Sequence, residues 1–112
     1  MANNHAMAIS DNFPLTPGHT LIIPKRHIAS FFELTVEEQV AIFELLTEMR
    51  ERLRESSSVP DGFNIGINDG AAAGQTVMHL HLHLIPRYAG DQTDPRGGVR
   101  WIFPDKAAYW DK

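Results

Sequence analysis

The sequence predicts an α+β domain in which an antiparallel sheet packs against one long helix. Short runs with the alternating pattern of β-strands are separated by segments rich in proline, glycine or small residues. A longer central segment repeats its apolar residues every three or four positions, which is the pattern of an amphipathic helix. The 112 residues, of which 43% are hydrophobic, suffice for a single domain, 1–112, with a modest core.

The beginning of the chain predicts two antiparallel strands joined by a turn. Residues 5–10 alternate weakly between polar and apolar side chains. Residues 12–18 form a proline-rich turn, and residues 19–23 are a β-branched run that ends at Pro24. We therefore expect a hairpin made of these two strands.

The central helix has both a start signal and an apolar stripe. Thr35 and Glu38 form the capping-box pattern, which marks the beginning of a helix. Apolar residues then follow at spacings of three and four: Val36, Val40, Phe43, Leu46, Met49 and Leu53. We expect a helix of about 18 to 20 residues that ends near the serines at positions 56–58. The stripe is more typical of packing against a sheet than of a cofactor site.

Two more strands are predicted around a loop of small residues. Residues 63–67 alternate and lead into the loop at 68–76, which contains a run of alanines between glycines. Residues 76–85 form the longest predicted strand, which can pair with the preceding one as a hairpin.

The longest predicted strand carries three histidines. His79, His81 and His83 alternate with leucines, so the pattern predicts three imidazoles on one face of the strand. They could bind a metal ion, or one imidazole could attack phosphorus or an acyl carbon once its other nitrogen is held as a donor. Successive side chains on a strand face are roughly 7 Å apart, so three in line converge poorly on one ion. This spacing favours a nucleophile over a metal site.

The loop before the histidines offers candidate anion-binding groups. Glycine-containing loops of small residues let backbone N–H groups approach an anion closely, although such a loop can also be an ordinary hairpin connection. Asn68 adds an amide and Thr76 a hydroxyl. Because the loop leads directly to three candidate nucleophiles, phosphoryl or nucleotidyl chemistry is the leading hypothesis.

The segments GQTVMHLHLHLIPR and, upstream, PGHTLIIPKRH resemble the signature of the histidine triad (HIT) family of nucleotide hydrolases and transferases. The resemblance extends from about Asp11 to Arg87. The combination QTV and IPRYAGD is more similar to the fragile histidine triad and dinucleoside polyphosphate hydrolase branch than to the small phosphoramidases. It implies a HIT-like fold and a homodimer in which the two sheets join into one.

The resemblance also implies a role for each histidine. His81 matches the nucleophile, which attacks the α-phosphate and forms a covalent nucleotidyl-histidine intermediate. His83 matches the residue that contacts phosphate and leaving-group oxygens. His79 matches the residue whose backbone carbonyl orients the nucleophile's ring, and His19 matches a fourth histidine that supports His79.

Substrate contacts follow from the same resemblance. Asp11 matches a residue that binds the ribose hydroxyls, and Asn12 lines that pocket. The residues that match phosphate contacts are Asn68, Gly74, Gln75 and Thr76. The implied activity is cleavage at the α-phosphate of a nucleoside 5′-phosphate derivative such as a dinucleoside polyphosphate, with no metal and no cofactor. The alternatives are a nucleoside phosphoramidase, a nucleotide-binding regulator with little turnover, and a histidine metal carrier.

Composition argues against several other classes of protein. The formal net charge of −4 leaves no basic stripe for nucleic acid. The chain contains no cysteine, which excludes a disulfide framework and fits a reducing cytoplasm. No apolar stretch reaches the length of a membrane span, and the first residues lack the pattern of a signal peptide. We therefore expect a cytoplasmic location, and the resemblance adds that the protein is an enzyme acting on a nucleotide.

The C-terminal tail contains arginines and aromatic residues of open function. Arg87, Arg96 and Arg100 could contact phosphate or anchor the chain to itself. The aromatic residues are Trp101, Phe103, Tyr109 and Trp110. For these we favour docking of the tail or a dimer contact over closure on a base, because aromatic residues dominate packing and interface energetics.

Overall fold

A computed structural model of the protein describes residues 1–111, in which four strands form one antiparallel sheet. The strands are β1 (Ala6–Ser10), β2 (Thr20–Pro24), β3 (Gly62–Ile67) and β4 (Leu82–Arg87), and their order in the sheet is β1-β2-β4-β3. One long helix, α1 (Val36–Arg54), lies between β2 and β3 in the chain. The predicted α+β class is therefore confirmed.

Strands β1 and β2 form the expected hairpin. Their register runs from Ala6 opposite Pro24 to Ser10 opposite Thr20. Beyond the last pair, the backbone N–H of Asp11 donates to the carbonyl of His19 at 3.1 Å. This bond draws Asp11 and His19 together at the end of the hairpin, although they are separated by a proline-rich turn.

Helix α1 begins at the predicted capping box, in which the Thr35 side chain and the Glu38 side chain each bind the other's backbone N–H. The predicted apolar stripe is wrong in its first half. Ala41, Ile42 and Leu45 are buried, whereas the side chains of Val36, Val40 and Phe43 are exposed. Both sets have helical spacing, so the period of the pattern cannot decide which set faces the sheet.

The core lies between α1 and one face of the sheet. Ala6, Ala8 and Ile22 of the first hairpin pack with the buried residues of α1, and Leu82 extends this cluster into β4. Along β4 the alternate residues are half-buried and face away from the helix: His83, Ile85 and Arg87. The sheet therefore presents His83 on the face opposite α1.

The longest predicted strand, 76–85, is wrong in its first half. Strand β4 begins only at Leu82 and continues to Arg87, so His79 and His81 precede it. Residues 75–80 instead run beside residues 24–29, where the N–H of Leu80 donates to the carbonyl of Ile28 at 2.7 Å. Leu80 is buried while His79 and His81 are half-buried, so the predicted alternation persists without strand pairing.

The three arginines of the C-terminal part bind groups within the protein. Arg87 forms a bidentate pair with Asp91 and donates to Asn64. The guanidinium of Arg96 lies 4.5 Å from the ring centre of Trp110, and that of Arg100 lies 4.9 Å from Tyr109. These arginines anchor the tail in this structure. Among residues 1–111, no helix combines the length and the apolar character needed to cross a membrane.

Candidate active site

The ring of His81 is held by the backbone just before it. Its Nδ1 lies 2.9 Å from the carbonyl oxygen of His79. Because a carbonyl oxygen only accepts hydrogen bonds, Nδ1 must carry the proton and Nε2 of the neutral ring keeps its lone pair. This arrangement is the one that a nucleophilic imidazole requires.

His83 is also held through Nδ1, but its partner there is His19. The N–H of Leu15 donates to Nδ1 of the buried His19 at 3.1 Å, so the proton of neutral His19 lies on Nε2. That Nε2 lies 2.9 Å from Nδ1 of His83. His83 therefore accepts at Nδ1 and carries its own proton on Nε2, from which it can donate to a ligand.

The partner of His19 differs from the expected one. The family resemblance assigns His19 to the support of His79, but its imidazole contacts His83. The reason lies in the sheet register, because Thr20 pairs with Leu84 and Leu21 with His83. Continued by one residue, this antiparallel register puts position 19 opposite Ile85, next to His83 and not beside the segment that precedes β4.

Burial lowers the pKa of His83 below its ordinary value of 6.5, and the nearby rings of His81 and His19 lower it further. The carboxylate of Asp11 acts in the opposite direction. His83 is consequently neutral at pH 7, which its acceptor bond from His19 also requires.

Asp11, His19 and His83 bring three potential metal-ligand atoms within 4.8 Å of one another. A metal ion at Nε2 of His19 would move the proton of this ring to Nδ1, where the N–H of Leu15 already donates. Two donors would then face each other in a buried position. The Oδ2 atom of Asp11 lies 3.4 Å from the same Nε2. The hydrogen bonds at this cluster thus favour a donor–acceptor contact from His19 to His83 over a metal site.

His79 is fixed by the segment that follows β2. Its ring bonds to the carbonyl of Pro24 at 2.9 Å and to Nδ1 of His27 at 3.0 Å. The first contact requires N–H on Nε2 of His79, so His27 donates to Nδ1. His27 was not among the predicted site residues, and no pattern around it in the sequence indicates this contact.

The loop at 68–76 is a compact turn that is tied to a neighbouring segment of the chain. Gly70 and Gly74 both have positive φ angles, of 93° and 95°, and flank a short turn of alanines. Asp69 ties the loop to residues 30–31 through the hydroxyl of Ser30 and the N–H of Phe31. Gly74 and Thr76 are exposed, as is Asn68.

Backbone donors follow this loop on the way to the histidines. Within residues 1–111, the N–H groups of Thr76, Val77 and Met78 donate to no protein acceptor. N–H groups without a protein partner are available to an acceptor from outside the protein, such as water or a ligand oxygen. They directly precede His79, whose carbonyl holds His81.

Two predicted substrate contacts are used within the protein. Gln75 is buried and its side-chain amide bonds only to backbone groups, so it presents no free polar atom to a phosphate. Asp11 accepts the N–H of Phe13 through Oδ1 at 2.8 Å, while its half-buried Oδ2 faces His19. Asn12 beside it is exposed. Asp11 therefore retains a partly accessible oxygen, whereas Gln75 does not.

The chain matches a known domain family and relatives that carry this domain. The HIT domain family matches residues 1–90. An uncharacterized 16.1 kDa HIT-like protein of Mycoplasma pneumoniae is 42% identical over 86 residues, which are 77% of this chain and 59% of the relative. The chain thus spans about three fifths of the length of such relatives.

Solved structures agree with this match. A HIT family protein from Bacillus anthracis is 42% identical with a TM-score of 0.75, and the match covers 81% of this chain and 64% of that protein. Plasmodium falciparum diadenosine triphosphate hydrolase, solved with cyclomarin A, is 32% identical with a TM-score of 0.76, over 84% of this chain and 63% of the hydrolase.

Proposed function

The chain belongs to the HIT domain family, and on this premise we propose that it is a nucleotide-phosphate hydrolase or transferase that cleaves at the α-phosphate of a nucleoside 5′-phosphate derivative. A dinucleoside polyphosphate is the proposed type of substrate. One observation carries the proposal: Nδ1 of His81 donates to the carbonyl of His79, which leaves Nε2 with its lone pair beside the donor His83. The diadenosine triphosphate hydrolase among the structural neighbours supports the same class of substrate.

The proposed reaction has two displacement steps. Nε2 of His81 forms a bond to the α-phosphorus, and the bond from phosphorus to the leaving-group oxygen breaks with its electron pair. The N–H on Nε2 of His83 is in a position to donate to an oxygen of the phosphate or the leaving group. Water then attacks the nucleotidyl-histidine, His81 regains its lone pair, and a nucleoside monophosphate is released.

Substrate binding is proposed to use groups on both sides of the histidines. The N–H groups of Thr76, Val77 and Met78 have no protein acceptor within residues 1–111, so they can bind phosphate oxygens and stabilise the charge that develops on them. The free side of the Asp11 carboxylate can accept hydrogen bonds from the ribose hydroxyls. A homodimer and a cytoplasmic location stay predictions.

A substrate panel tests the proposal. One purified sample would be assayed with dinucleoside polyphosphates, nucleotidyl-amines and adenylyl sulfate, and release of the nucleoside monophosphate would be measured. We expect turnover of dinucleoside polyphosphates that a chelator does not reduce. Faster turnover of the nucleotidyl-amines would indicate a phosphoramidase instead. Nucleotide binding without any turnover would indicate a regulator, and loss of activity on chelation would indicate a metal-dependent protein.

A further inference from the structure

Gln75 is a buried polar residue at the end of the loop that leads to the histidines, and only 6% of it is exposed. Burial of an amide is costly unless its polar atoms are hydrogen-bonded. Its Oε1 accepts the N–H of Gly70 at 2.8 Å. Its Nε2 donates to the carbonyls of Ala29 at 2.9 Å and Val77 at 3.1 Å. Both N–H bonds of the amide are therefore used.

These three bonds join separate parts of the chain. Gly70 lies at the start of the loop, Ala29 lies in the segment after β2, and Val77 lies just before the histidines. The last residue of β2 supplies the carbonyl of Pro24 to the ring of His79, and the segment after β2 supplies the carbonyl of Ile28 to the N–H of Leu80. Residues 75–80 are thus fixed by these bonds in the place where strand pairing is missing.

We propose that Gln75 is a positioning residue that fixes the backbone from Thr76 to His79 and does not contact the substrate. This stretch holds the free N–H groups and the carbonyl that orients His81, so its position determines both the phosphate site and the direction of Nε2. The inference rests on the proposed function, in which His81 is the nucleophile. A displacement of about 1 Å at such a group can reduce the rate about a hundredfold.

Two variants separate positioning from contact. Gln75→Glu keeps the shape of the side chain but replaces the NH2 group, which donates to the carbonyls of Ala29 and Val77, with a carboxylate oxygen, which only accepts. Gln75→Met removes all three hydrogen bonds without adding charge. Gln92→Glu makes the first substitution at an exposed position and serves as the matched control. We expect kcat to fall roughly tenfold to a hundredfold in both Gln75 variants, with the control unchanged.

Binding and hydrogen exchange give readouts that do not require turnover. The affinities of adenosine 5′-monophosphate and adenosine would be measured for each variant, together with amide exchange at residues 70–80. A positioning role predicts faster exchange at Gly70 and Leu80, whose N–H groups are bonded in the wild type, together with a loss of affinity for the monophosphate relative to adenosine, because the N–H groups of the phosphate site move with the backbone. A loss of monophosphate affinity without faster exchange at Leu80, or unchanged kcat and exchange, would overturn the proposal.

The wild-type protein supplies a test that does not depend on the folding of the variants. The side-chain amide resonances of Gln75 would be followed by NMR during titration with adenosine 5′-monophosphate. We expect slow exchange of these amide protons and smaller shifts than those of the N–H groups of Thr76 and Val77. Larger shifts at Gln75 would identify it as a phosphate contact. If the wild type turned over no substrate, the proposed function would fail, while these NMR results would still decide the place of Gln75.

Discussion

His81 and His83 lie two positions apart in the chain and both leave Nε2 free, yet only the Nε2 of His83 carries a proton. Nδ1 of His81 donates to a carbonyl, whereas Nδ1 of His83 accepts from His19. Neutral His81 therefore presents a lone pair on Nε2, and neutral His83 presents an N–H. Identical side chains can thus act as nucleophile and donor because their second nitrogens have different partners.

Replacement of His81 is the most direct test at a single residue. We expect His81→Ala to lower kcat more than about 10³-fold, since the covalent route is lost, while nucleotide binding stays within about tenfold of the wild type. The measurement is turnover of a dinucleoside polyphosphate together with calorimetric binding of a nucleoside monophosphate. His5→Ala removes an exposed histidine outside the site and should change neither value. Turnover near the wild-type rate in His81→Ala would exclude His81 as the nucleophile.

The lowered pKa of His83 predicts a pH dependence of stability. Burial and the rings of His81 and His19 hold the pKa below 6.5 in the folded state, whereas the unfolded chain has the ordinary value. Unfolding therefore takes up protons, so this contribution to stability is complete above pH 6.5 and is lost as the pH falls through the folded pKa. NMR titration of the imidazole should give a midpoint below 6.5. The free energy of unfolding, measured by denaturation at several pH values, should depend less on pH in His83→Gln than in the wild type.

At the scale of secondary structure, the capping box predicts the start of α1 correctly, whereas the histidine run predicts a strand that is too long. Thr35 and Glu38 lie together in sequence, so the capping box could be recognised from the residues alone. The segment around His79 is held by contacts with residues 24–29, which are distant in sequence. An alternating pattern does not show whether such a segment pairs as a strand. The predicted alternation of burial is therefore confirmed for residues 79–85, but residues 76–78 are all exposed and the predicted strand is too long.

Contacts between residues that are distant in sequence were also missed around the histidines. The HIT signature located His81 and His83 directly, because its spacing is specific. It could not show that Gln75 is buried against backbone groups or that His19 contacts His83, since both depend on which strands pair and in what register. His27 ends the segment PGHTLIIPKRH, but it lies far from His79 in sequence, so the resemblance alone gave no indication of their contact.

The capping box gives a prediction at the scale of the helix. Thr35→Ala removes the side chain that accepts the N–H of Glu38 at 3.1 Å and should lower the free energy of unfolding by about 1 kcal/mol. Arg26 and the N–H of Thr35 lower the pKa of Glu38 to about 2, so its carboxylate remains charged at neutral pH. Thr47→Ala in the interior of the same helix is the control, where a better helix former should cause no loss. If urea denaturation gave the same change in the free energy of unfolding for Thr35→Ala and Thr47→Ala, a capping role would be contradicted.

At the scale of the whole molecule, helix α1 carries more apolar surface than its own sheet covers. Val36, Val40 and Phe43 are exposed on the side of α1 opposite its buried residues, and Phe43 also lines a small cavity together with Ile67 of β3. Within residues 1–111, β3 pairs only with β4, so its other edge has no strand partner. The open edge and the apolar helix face are surfaces that a second copy of the chain can cover.

We therefore predict a homodimer at micromolar concentration, in which β3 and the exposed stripe of α1 meet the same elements of the partner. Phe43, with 53% of its surface exposed, lies on this stripe, so Phe43→Glu places a charge where the dimer buries an apolar ring. Sedimentation velocity should show a dimer for the wild type and a monomer for Phe43→Glu. Val99→Glu introduces the same charge at an exposed apolar residue of the tail and should remain dimeric. A wild-type monomer that retains full activity would exclude the dimer, and dissociation of both variants would exclude this surface as its specific interface.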